Sequence, residues 1–85
     1  MWHVYILKCA NGSFYTGITD NLARRFREHA GGKGDHYTKS FGAVKILYSE
    51  DYPDKSTALK REAEIKHLTR VDKEDLIKTD IRWRR

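Results

Sequence analysis

Tyr5, Tyr15, Arg25 and Glu62 place two phenols, a guanidinium and a carboxylate in one short chain. Such groups offer a proton donor or acceptor, a planar fork for phosphate oxygens and a hard oxygen ligand for a divalent cation. That set suits chemistry on a phosphate ester. Each residue also has a structural use, so its position in the chain must be weighed.

The tyrosines fall on strand-like segments. Residues 2–8 are rich in β-branched and aromatic side chains, and residues 13–18 resume that composition. Asn11-Gly12 lies between them, the dipeptide that best supplies positive φ at both central positions of a hairpin turn. Alternation puts His3, Tyr5 and Leu7 on one face of the first strand, and Ser13, Tyr15 and Gly17 on one face of the second. Tyr5 and Tyr15 are therefore expected as near-neighbours, and Gly17 leaves room for a backbone or a ligand. The bland alternative is a pair of half-buried strand tyrosines with their hydroxyls in water.

Thr19-Asp20-Asn21 is a cluster of N-cap residues, and residues 21–30 read as a helix. Leu22, Phe26 and His29 share one face, with Arg25 on or beside it, while Arg24 and Glu28 point elsewhere. A guanidinium at the inward edge needs a salt-bridge partner or an anionic ligand such as a phosphate, unless it snorkels to solvent. Residues 43–50 read as a third strand, expected at the centre of the sheet, with Val44, Ile46 and Tyr48 on one face and Ala43 and Leu47 on the other. A helix over about 56–69 follows, capped by Asp54 or Ser56, and a last short helix over about 72–79 packs through Leu76 and Ile77. On the longer helix Glu62 falls in line with Ala58 and Ile65, where a hydrophobe is expected. A carboxylate there is costly unless it is paired, solvated or bound to a metal. Arg25 is one candidate partner.

Composition narrows the class. Eighty-five residues make one domain with a small core. We place the domain at residues 1–80 and a basic tail at 81–85. No apolar run is long enough to span a bilayer, and no signal-peptide pattern is present. The lone Cys9 forms no internal disulfide and fits a reducing cytosol, and His3, His29, His36 and His67 have no paired thiolates for a zinc site. The net charge of +5 points to a polyanionic partner. Its distribution is more telling than its size. Arg24, Arg25 and Arg27 share a helix, Lys33, His36, Tyr37 and Lys39 follow the glycine-rich break at Gly31-Gly32-Lys33-Gly34, and Arg82, Trp83, Arg84 and Arg85 end the chain. Basic groups interleaved with aromatics suit phosphate contact and base stacking. The glycine-rich break lacks the Gly-Lys-Ser/Thr ending and the preceding strand of a nucleotide-binding loop.

Taken in order, Val4-Tyr5, nine residues, Tyr15-Thr16-Gly17, Asn21-Leu22, Arg25 and Ala58-Leu59-x-x-Glu62 resemble the GIY-YIG nuclease superfamily, in its small single-domain UPF0213 branch. The resemblance covers nearly the whole chain. It implies an α+β fold, a three-stranded antiparallel sheet flanked by helices in the order β-β-α-β-α-α. It implies DNA phosphodiester hydrolysis with one divalent metal, usually Mg²⁺, with Mn²⁺ as the substitute. Tyr5 matches the first-motif tyrosine, Tyr15 and Gly17 the second motif, Arg25 the helix arginine and Glu62 the metal-binding glutamate. His29 matches a position that is histidine in some branches. His3 replaces the leading glycine of the first motif, Thr16 stands where isoleucine or valine is common, and the late asparagine has no clear counterpart.

The expectation is a metal-dependent DNA endonuclease acting on structured or damaged DNA, as in repair, with Tyr5, Tyr15 or His29 serving the attacking water. Arg24, Lys33, His36, Tyr37 and Lys39 are the expected DNA contacts, and a protein partner is expected to supply specificity. The alternative is a nucleic-acid-binding module on the same fold with little or no catalysis.

Overall fold

A computed structural model of the chain describes residues 1–31 and 42–79. Lys33, His36, Tyr37, Lys39 and the expected basic tail at 81–85 lie outside the described residues.

The described elements are β1 (Trp2–Cys9), β2 (Phe14–Thr19), α1 (Leu22–Ala30), β3 (Ala43–Tyr52), α2 (Lys55–Lys66) and α3 (Arg70–Thr79). The strands form one antiparallel sheet in the order β2-β1-β3. The expected fold class and element order are both present.

β1, not β3, is the central strand. Val4, Tyr5, Ile6 and Leu7 are buried in succession, so β1 is covered on both faces. β3 shows the charged pattern of an edge, with Lys45 and Asp51 exposed. Its faces are also rearranged. Ile46 pairs with Leu7 while Tyr48 pairs with Ile6, so a register shift places Ile46 and Tyr48 on opposite faces.

The β1–β2 turn departs from expectation as well. Gly12 alone carries positive φ, at +85°, whereas Asn11 does not. Gly12 N–H donates to the Cys9 carbonyl at 2.9 Å and Cys9 N–H to the Ser13 carbonyl at 2.9 Å. Ala10, Asn11 and Gly12 thus form a three-residue connection with one left-handed glycine. The Asn11 side chain accepts from the Ser13 amide at 3.1 Å, so asparagine stabilises the turn by a side-chain bond.

Two layers cover the sheet. On one face, Val4, Ile6 and Tyr48 pack with Ala58 and Ile65 of α2, and Leu76 and Ile77 of α3 join them. On the other face lies α1, whose His29 is buried against Tyr5. Asn21 caps α1 by accepting from the Arg24 amide at 3.0 Å, and Asp54 caps α2 by accepting from the Thr57 amide at 2.7 Å.

Candidate active site

The hairpin register sets the site. Tyr5 lies directly opposite Gly17, and Leu7 opposite Tyr15, so both tyrosines emerge on the α1 face. The missing side chain at Gly17 lets the Tyr5 ring lie across β2. A Cβ at Gly17 would stand 2.6 Å from the Tyr5 hydroxyl oxygen and 2.8 Å from its ring carbon Cζ.

α1 supplies the third and fourth groups. His29 is 1% exposed, and its Nε2 lies 3.0 Å from the Tyr5 hydroxyl. The Tyr15 ring centroid is 5.2 Å from that of His29 and 6.3 Å from that of Tyr5. One turn before His29, Arg25 bonds Glu28 at 3.2 Å and keeps its guanidinium partly exposed. Burial works to lower the Arg25 pKa, and hydrogen bonding to Tyr5 and Glu28 outweighs it, so the value is raised. A permanent positive charge therefore stands beside the Tyr5–His29 pair.

Tyr5, Tyr15, Gly17, Arg25 and His29 are thus brought together on one face. Arg24 lies on the outer side of the same helix, paired with Asp20 at 2.8 Å and half exposed. Glu62 belongs to α2, in line with the buried Ala58 and Ile65. Its carboxylate is only 18% exposed and pairs with Lys66, one turn on, at 3.5 Å. The Arg25–Glu62 ion pair weighed from the sequence is replaced by Arg25–Glu28 and Glu62–Lys66, both local to one helix.

A second network had no place in the sequence reading. Arg61 Nε and Nη2 fork onto the two carboxylate oxygens of Glu50 at 2.9 and 3.0 Å. The Tyr48 and Tyr52 hydroxyls donate to the same carboxylate. Burial pushes Glu50 up, but Arg61 and the two tyrosines hold it below its ordinary value. Burial and the Glu50 charge push Tyr52 up to about 12 and raise Tyr48 as well. This network ties α2, the helix that carries Glu62, to β3. The signal was present in the chain, because Tyr48, Glu50 and Tyr52 alternate along one strand face.

The description GIY-YIG catalytic domain matches residues 1–75. The chain belongs to the GIY-YIG family. It falls in the UPF0213 branch, as its relatives show. The UPF0213 protein of Desulfotalea psychrophila is 49% identical over 78 residues, in an alignment covering 91% of this chain and 71% of that one. The UPF0213 protein of Xanthomonas axonopodis pv. citri is 46% identical, with 85% and 71% covered. The solution structure of the UPF0213 protein from Bacillus halodurans superposes with a TM-score of 0.61 at 42% identity, covering 94% of this chain and 86% of that one. The GIY-YIG domain is that of a nuclease superfamily, which supports phosphodiester hydrolysis as the general reaction class. Among the described residues no helix is long and apolar enough to cross a membrane.

Proposed function

We propose that this GIY-YIG protein is a divalent-metal-dependent endonuclease that cuts structured or damaged DNA. One observation carries the reading. The Tyr5 hydroxyl meets His29 Nε2 at 3.0 Å in a buried site beside the Arg25 guanidinium. Packing alone does not call for a buried imidazole against a phenol next to a cation. General base catalysis on water does.

In the proposed reaction Tyr5 takes a proton from the attacking water as its own proton passes to His29 Nε2. The water oxygen bonds to phosphorus, and the 3′-oxygen leaves with the electron pair of the broken bond and takes its proton from solvent water. Arg25 forks onto the phosphate oxygens, where negative charge grows in the transition state. Tyr15, tilted against both rings, shields the far side of the pair from water. Gly17 keeps the path of the Tyr5 ring open.

Glu62 is our candidate ligand for Mg²⁺ or Mn²⁺. Among the described residues no group of three or more histidines, cysteines or carboxylates forms a metal cage. A single carboxylate fits Mg²⁺ all the same, since that ion keeps most of its waters and shares substrate phosphates. Glu62 stands on α2, in the layer opposite α1, and an ion held there would supply positive charge to a phosphate that reaches that helix. Lys66, 54% exposed, must release Glu62 to admit it, and a surface pair of this kind is held by only about 0–1 kcal/mol.

The Glu62–Lys66 pair also favours a second reading, a nucleic-acid-binding module with little or no catalysis. Cleavage of single-stranded, duplex, flap and branched DNA in Mg²⁺ or Mn²⁺, with Glu62→Gln beside the parent, separates the two. Metal-dependent products that vanish in the variant support the nuclease. Binding without products supports the module, or a protein partner that supplies activity and specificity.

A further inference from the structure

An open groove of about 250 Å³ runs between the β1–β2 hairpin and α3, on the sheet face away from Tyr5 and His29. Phe14, Leu47 and Ile77 form its apolar floor. Lys8, Lys45, Arg70 and Lys78 surround it, against the single carboxylate of Glu74. Among the described residues none of the four cations stands in an ion pair, although Glu74 lies one turn from both Arg70 and Lys78.

The strand register makes the charge harder to dismiss. Lys8 and Lys45 are directly opposite one another across β1 and β3. Like charges in that position destabilise a sheet. Here the repulsion is compounded by two further cations from α3. Arg70 is held in place, with its guanidinium 3.9 Å from the Phe14 ring centroid and Nη1 donating to the Gly12 carbonyl at 2.8 Å. Arg70 is therefore fixed in the groove wall, and Lys8 and Lys45 face one another there at a cost to the folded chain. An anion that neutralises several of them at once is the natural complement.

We propose that this groove binds the phosphodiester backbone of a second nucleic-acid segment, such as one arm of a branched DNA whose other arm meets the Tyr5–His29 face. Evenly spaced charges along a strand match cations spread over two strands and a helix. A single small anion would leave most of them uncompensated. The inference rests on the reading of this protein as one that acts on DNA, and it adds a reason for preferring branched substrates: the two surfaces lie on opposite faces of one sheet.

The test uses the full chain and its Lys8→Gln/Lys45→Gln double variant. Fluorescence anisotropy is recorded with a labelled three-way junction and a labelled linear duplex from 50 to 200 mM salt. The parent is expected to bind the junction with a steeper salt dependence than the duplex. The double variant should bind the junction about tenfold more weakly at the lowest salt, with a log–log salt slope shallower by about two, one per lost phosphate contact. The same variant should melt higher by about 1–5 °C, because the cross-strand repulsion is gone. A variant that melts at or above the parent temperature yet binds the junction as the parent does would overturn the groove assignment alone. Poly-glutamate displacing the junction from the parent more readily than unlabelled DNA does would overturn it in favour of an acidic peptide. A parent that binds neither DNA would overturn this inference and the DNA reading beneath it.

Discussion

Gly17 leaves vacant the space beside the Tyr5 hydroxyl, since a methyl group at residue 17 would stand 2.6 Å from that oxygen. Tyr5 is 2% exposed, so its ring cannot move aside without disturbing its neighbours. Gly17→Ala is therefore expected to displace the phenol from His29 and to overpack the site, at a cost of about 1–3 kcal/mol. In a domain of this size each kcal/mol lowers Tm by about 4–8 °C. Thermal melting checks the stability. A loss of cleavage larger than the fraction unfolded checks the displacement.

Tyr5→Phe keeps the ring and removes only the hydroxyl. If the phenol receives the proton of the attacking water, cleavage should fall by about 10²-fold or more while DNA affinity holds. His29 is left buried without this partner, so stability should also fall by about 1–3 kcal/mol. Single-turnover cleavage read beside anisotropy separates the two effects. Cleavage at the parental rate would remove Tyr5 from the chemistry.

Arg25 is a fork with two neighbours, Tyr5 and Glu28, and a partly exposed guanidinium. Arg25→Ala should cut turnover by about 10²-fold, the scale of one lost transition-state contact. Arg25→Lys should restore little of it, because an ammonium offers no planar pair of donors. A lysine variant as active as the parent would show that charge alone suffices there.

Thr16 is 4% exposed, and among the described residues its hydroxyl has no hydrogen-bond partner. It faces the apolar layer beneath α2, opposite Ile6. Thr16→Val keeps the shape and removes the unsatisfied oxygen, so it is expected to stabilise the fold by about 1 kcal/mol. Melting should rise by several degrees with cleavage unchanged, since the residue lies away from the Tyr5 face.

Glu50 makes a pH-dependent contribution through Arg61, Tyr48 and Tyr52. Its native pKa is lowered, so the unfolded chain takes up its proton first as pH falls. The stabilisation is fully present above the ordinary glutamate value of about 4.3 and is lost as pH drops through the lower native value. Glu50→Gln should melt below the parent at neutral pH, and the gap should start to narrow below about pH 4.3 and close as pH passes the lower native value. Melting curves from pH 7 to pH 3 test the sign. At the alkaline end Tyr52, pushed up to about 12, contributes stability below about 10 that is lost as pH rises through that native value.

Much of the fold was legible because it is encoded locally. Strand alternation places Tyr5, Tyr15 and Gly17 on one face whatever their neighbours are, since side chains alternate with period two. The Asn21 and Asp54 caps are short-range bonds between a side chain and an amide three residues on. The motif tyrosines, Arg25 and Glu62 carried the family likeness in order along the chain, and the family match over residues 1–75 bears it out.

What depends on contacts between distant segments was decided by the tertiary structure. Alternation says which face a residue takes but not which strand lies beside it, so the central place fell to β1, where four successive side chains could all be buried. The shift that separates Ile46 from Tyr48 exists only in the pairing of β3 with β1. The bond between Tyr5 and His29 joins residues 24 apart, and the fork of Arg61 onto Glu50 needs α2 folded against β3. By itself the sequence determined which chemical groups are present, which strand or helix each occupies and, in β1 and β2, which face. Which of them meet across distant segments was settled only when the sheet and its two helical layers closed around them, because a hydrogen bond or ion pair acts over a few ångströms and, between residues far apart in the chain, has no signature in spacing alone.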